Sequence, residues 1–89
     1  MKLIIGTRWD DRSGIEHFLT TTTNGPTAWC DDEIIRNLQI PPHEFYSILY
    51  TYNGIYNYKL KVYIFRYTED LEKVIGELEP FLIMEELLK

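Results

Sequence analysis

The chain has 89 residues, enough for one compact domain over 1–89 and too few for a second. With 45% hydrophobic and 26% charged residues it has the composition of a soluble globule, which excludes a disordered chain. Nine basic against 14 acidic side chains give a formal charge of -5, which excludes a generally basic nucleic-acid coat, and a lone cysteine excludes a disulfide framework.

Lys2 to Trp9 reads as a strand, rich in β-branched and aromatic residues and closed by the polar cluster Asp10-Asp11-Arg12-Ser13-Gly14. Ile15 to Thr22 reads as its hairpin partner, with Ile15, Phe18 and Leu19 as the apolar members. Asn24-Gly25-Pro26 then breaks the chain. Asp31 to Leu38 reads as a short helix capped by Asp31, with Asp32 and Glu33 at the positive end of its dipole. Pro41-Pro42 stops it and starts a second helix, in which Phe45, Ile48, Leu49 and Tyr52 form the apolar face. Asn53-Gly54 ends that helix, with Gly54 expected in the left-handed cap.

Tyr58 to Tyr67 reads as one continuous strand, apolar on both faces through Val62-Tyr63-Ile64-Phe65 as a central strand would be. A helix follows from Thr68, with Leu71, Val74, Ile75 and Leu78 on its apolar stripe. Pro80 is expected to end or kink it, leaving Phe81 to Leu88 as a last turn or two against the core. The expected fold is α+β: a small antiparallel sheet of about three strands with three to four helices on one side, in the order β-β-α-α-β-α, with a helix-turn-helix-like hairpin in the middle.

Residues 31–49 resemble the helix-turn-helix segment of winged-helix DNA-binding regulators. Ile34, Leu38, Ile40, Phe45 and Ile48 fall at the motif's apolar positions, and Leu38-Gln39-Ile40-Pro41-Pro42-His43-Glu44-Phe45 is similar to the turn and the start of a recognition helix. Two positions depart from it: Ile35 stands where alanine is usual, and Gln39 where glycine is usual. The resemblance implies that Arg36, His43, Tyr46, Ser47 and Tyr50 approach a DNA groove and that Lys59, Lys61 and Arg66, on a wing-like segment after the second helix, touch phosphates. The expected recognition face itself carries no Lys or Arg, the usual readers of guanine. The order strand, helix, strand, helix near the end is similar to the tail of a LAGLIDADG homing-endonuclease half. The motif that names that family is absent, so no catalytic residue follows.

The charge is polarised. Residues 1–44 sum to -3, 45–68 to +3 and 69–89 to -5. All seven tyrosines lie between Tyr46 and Tyr67, in a stretch free of acids. Tyrosine gives large contact area at low entropic cost, so Tyr46, Tyr50, Tyr56 and Tyr58 with Lys59 and Lys61 form one expected partner-binding face. Tyr52, Tyr63 and Tyr67 are expected in the core, and Trp9 and Trp29 as core or core-edge anchors. On the last helix Glu72, Glu77 and Glu79 lie off the apolar stripe, as a solvated face or as a mimic of a phosphate backbone.

No catalytic grammar is visible. Asp10-Asp11 and Asp31-Asp32-Glu33 read as a turn and a helix start before they read as cation sites. Cys30 lacks an orienting partner set, His43 reads as exposed, and the five glycines are scattered. No metal or cofactor is expected. No apolar run approaches a membrane span and the first residues are too short for a signal peptide, so the expected compartment is cytoplasmic. These features read as a non-catalytic regulator or inhibitor of phage or mobile-element type, occluding a protein or nucleoprotein complex. A DNA-binding transcriptional regulator is the alternative.

Overall fold

The structure is a computed structural model that describes residues 2–23, 25 and 31–88, with side chains as far as residue 81. Trp29 and Cys30, and Asn24 and Pro26 of the expected break, lie outside the described residues. The class is α+β, with two small antiparallel sheets and three helices in the order β-β-α-α-β-β-α. That is one strand more than the periodicity suggested.

Strands β1 (Leu3–Asp10) and β2 (Gly14–Thr21) form a hairpin in which Ile5 faces Leu19 and Gly6 faces Phe18. Its turn is built by Asp10, whose Oδ2 accepts the backbone N–H of Arg12 at 3.1 Å and Ser13 at 3.0 Å. Gly14 completes it at φ 80°, a left-handed backbone that glycine adopts freely. Those N–H bonds hold the Asp10 carboxyl below its ordinary range.

Helix α1 (Asp31–Leu38) begins at Asp31, the residue expected as its cap. Gln39 at φ 55° turns the chain into α2 (Pro42–Thr51), with Pro42 in the first turn as expected. The end of α2 differs from the expected cap. Asn53, not Gly54, takes the left-handed conformation, at φ 69°. The N–H of Gly54 bonds Leu49 O at 2.9 Å and that of Asn53 bonds Tyr50 O at 3.1 Å, the two closures of a Schellman motif. Gly54 is needed for a different reason: a Cβ there would lie 2.7 Å from both Leu49 O and Phe65 Cζ.

The expected strand over 58–67 is instead the turn and second arm of a hairpin, β3 (Ile55–Asn57) with β4 (Val62–Ile64). Asn57 makes the turn. Its Oδ1 accepts the N–H of Lys59 at 3.0 Å and Leu60 at 2.9 Å, its own C=O accepts from Lys61 at 2.7 Å, and Lys61 sits at φ 60°. One antiparallel bridge ties this hairpin to β2: His17 and Phe65 exchange both backbone bonds, at 2.9 and 2.7 Å.

Helix α3 (Thr68–Leu88) runs through Pro80 rather than ending there. Pro80, Glu79 and Gly76 all face solvent. Water can therefore take the carbonyl that the missing N–H leaves open, and Gly76, four residues back, adds no side-chain bulk beside the ring. Phe81 continues the apolar stripe and packs against the core.

Helices α1 and α3 pack on one face of the β1–β2 hairpin, and α2 packs on α3. Leu3 and Leu19 join Ile34, Leu38, Phe45, Leu49, Phe65, Leu71, Val74 and Leu78 in the main core, each buried side chain contributing about 1.5–3 kcal/mol. On the opposite face Phe18 packs with Val62 and Ile64. Among the described residues, no helix is long and apolar enough to cross a membrane.

Candidate functional site

Two constellations meet on the β3–β4 hairpin. The first is a ladder of tyrosines under α2. Tyr46 stacks on Tyr63 with centroids 5.5 Å apart, Tyr63 meets Tyr56 edge-on at 5.2 Å, and Tyr56 meets Tyr58 at 5.0 Å. Phe45 anchors the inner end, 5.3 Å from Tyr46. Such contacts add about 0.5–1.5 kcal/mol each beyond area burial.

Asp31 lies against this ladder. It is only 6% exposed, and its Oδ2 has no hydrogen-bond partner. Burial pushes its pKa up to about 7, helped by the negative charge of Asp32 and opposed by the Tyr63 backbone N–H that donates to it. The phenols of Tyr46 and Tyr63 are also pushed up, first by burial and then by neighbouring groups that include Asp31.

The second constellation is an open groove of about 460 Å³ where β2 and the chain after β4 part beyond the His17–Phe65 bridge. Ile15, Ile55 and Tyr67 line it while remaining 56%, 74% and 60% exposed. Its polar wall holds Asn53, Asn57, Arg66, Glu16 and Asp70. Glu16 is engaged by Arg8 at 3.3 Å. A cleft of this volume with apolar walls and a few convergent polar groups suits a small ligand or a short stretch of chain.

The sequence-predicted residues divide between these places. Tyr46 and Tyr56 are half-buried in the ladder, with Tyr58 exposed at its outer end. Lys59 and Lys61 are exposed at the β3–β4 turn, and Tyr50 projects from α2. Glu72, Glu77 and Glu79 are exposed on α3, and Glu77 Oε1 accepts the Tyr52 hydroxyl at 3.1 Å. Arg36, His43 and Ser47 are exposed on α1 and α2, whereas Arg66 belongs to the groove.

Two core expectations are corrected. Tyr67 is exposed because the chain bends at Arg66, between the Phe65 bridge and α3, and turns this ring to the groove. Trp9 is 66% exposed: it pairs with Ile15 at the turn end of the hairpin, away from the main core.

Sequence reasoning passed over Ile15 and Ile55 as site residues, and placed the amides of Asn53 and Asn57 with the tyrosine-rich face and Asp70 with the acids of the last helix. A signal was there in Asn57, whose type builds turns and whose turn leaves Ile55 on a strand of three residues. Among the described residues no group of three or more His, Cys, Asp and Glu side chains could hold a metal ion. No protein-family model matches the chain, and neither the curated proteins nor the solved structures give a significant match to it.

Proposed function

We propose that this is a non-catalytic regulatory or inhibitory binding protein that acts by occluding a macromolecular partner, a protein or nucleoprotein complex. The observation that carries the reading is the convergence of Ile15, Ile55 and Tyr67 on one groove while all three stay exposed. Exposed apolar side chains gathered around a concavity and rimmed by polar groups are the usual mark of an interaction site. The exposed acids of α3 supply long-range steering towards that partner. The test compares proteins captured from a reducing cytoplasmic extract by the native chain and by a Tyr67→Asp variant. A partner held by the first and lost by the second supports the reading, and identical captured sets overturn it.

A DNA-binding regulator is the second reading. It is favoured by Gln39, which adopts the left-handed turn conformation despite not being glycine, and by the hairpin after α2, which exposes Lys59 and Lys61 at its tip. Such a protein loses affinity for random duplex DNA with a log–log salt slope of about one per phosphate neutralised. Failure to bind duplex DNA at low salt eliminates it.

A further inference from the structure

We propose that the groove receives an extended segment of a basic partner protein, seating one apolar side chain among Ile15, Ile55 and Tyr67 and placing a neighbouring Lys or Arg against Asp70. The proposal rests on the binding-protein reading and adds the chemistry of the partner.

The polar wall is rich in donors. Asn57 has its Oδ1 engaged by two backbone N–H groups, which leaves its side-chain N–H pair for a ligand. The Arg66 guanidinium is exposed on the same wall and carries donors only. An extended peptide presents unpaired carbonyls at regular intervals, which is what these donors can take. A nucleic-acid strand is disfavoured, because its phosphates would meet the acids of the rim.

Charge selects a basic segment. Glu16 is paired with Arg8, which also reaches Asp10 at 3.8 Å. Asp70, by contrast, lies between Glu69 and Glu72, both exposed, and none of the three forms an ion pair among the described residues. The groove therefore opens onto the acidic start of α3, where Glu69, Asp70 and Glu72 outnumber Arg66 on its wall, in a chain of formal charge -5. A cation beside the apolar anchor gains from that field, whereas an anion is repelled by it.

The test selects binders from a randomised library of octapeptides blocked at both ends, using the native chain, Ile55→Ser and Asp70→Asn. The expected binders carry an aliphatic or aromatic residue within two positions of Lys or Arg. Their affinity should fall about tenfold or more in Ile55→Ser, which removes an anchor wall, and about threefold in Asp70→Asn at low salt. Because Ile55 is 74% exposed, the first variant should keep the native melting temperature, and Tyr67→Ser repeats the test from the opposite wall. Binders that lose affinity in Ile55→Ser but show no basic residue overturn the basic-partner proposal and leave the binding reading standing. Binders indifferent to both wall variants overturn the groove as their site. A library that yields none overturns the peptide proposal, while the capture comparison still decides the binding reading.

Discussion

The two faces of the β3–β4 hairpin are built from similar residues and have opposite fates. On one, Tyr56 and Tyr63 are held between Tyr46, Tyr58 and the buried Asp31. On the other, Ile55 pairs with Ile64, yet only Ile64 is buried, against Phe18 and Val62. Both strands are three residues long, and both faces offer β-branched or aromatic side chains. What separates them is what lies across: α2 and the start of α1 close the tyrosine face, and nothing among the described residues closes the groove over Ile55. Strand grammar decides that a side chain points to a face, but only tertiary packing decides whether that face becomes core or surface.

The largest expected effect sharpens that contrast. Phe65→Ala removes a fully buried ring from the main core, at about 4 kcal/mol. Ile55→Ser, ten residues away on the open face, should stay within about 0.5 kcal/mol of the native chain. Urea unfolding with a shared slope measures both. If Ile55→Ser proves as damaging as Phe65→Ala, the groove is closed in solution and the comparison fails.

Asp31 tests the closed face by pH. Its folded pKa of about 7 lies above the ordinary 3.8, so below pH 4 the carboxyl is protonated in both folded and unfolded chains and nothing is lost. Between pH 4 and 7 the unfolded chain gives up the proton while the folded chain keeps it, and stability falls. Above 7 the loss is complete. About 1.4 kcal/mol per pH unit over that window, reduced by residual solvation, gives about 3 kcal/mol. Tyr46 and Tyr63, both pushed up, stay neutral throughout and do not mask the effect. Asp31→Asn should remove this component of the pH slope. Equal slopes in the two chains would mean that the carboxyl is solvated and the tyrosine face is not closed.

Much of the fold was legible because local chemistry and long-range packing agree there. The β1–β2 hairpin, both short helices and the stripe Leu71, Val74, Leu78 follow directly from periodicity and breakers. The second hairpin was hidden because Lys59 and Lys61 alternate with Leu60 and Val62 as in a strand, while its turn depends on one Asn57 side chain accepting two backbone bonds. Pro80 misled in the other direction: it removes one helical bond wherever it stands, but here that part of α3 faces solvent, where water can take the freed carbonyl and the helix continues. The groove was illegible for a topological reason. It joins the β1–β2 turn, the end of α2 and the start of α3, segments tens of residues apart that no local pattern connects.

Gly54 lies where the two faces are joined, against Phe65 and the end of α2. A methyl group there falls 2.7 Å from Phe65 Cζ and from a backbone oxygen already engaged in the helix cap. The ring can shift only by disturbing the main core, so Gly54→Ala should cost about 2 kcal/mol. Because Asn53 and Ile55 flank it, the same variant should also weaken any ligand of the groove. A stability loss with unchanged binding would show that the groove tolerates movement of the core beneath it.

The smallest expected effect compares the two left-handed corners that frame α2. Asn53, at φ 69°, belongs to a residue type that tolerates this backbone, so Asn53→Gly should change little. Gln39, at φ 55°, is not of that type, and its Cβ crowds the following carbonyl. Replacement by glycine relieves that strain but adds entropy to the unfolded chain, leaving a net gain of about 0.5 kcal/mol. In a domain of this size that raises the melting temperature by about 2–4 °C. A rise at Gln39 without one at Asn53 assigns the strain to the α1–α2 corner. Equal responses at both corners would instead place the tolerance in the surrounding packing, since the same φ would then cost the same whatever side chain carries it.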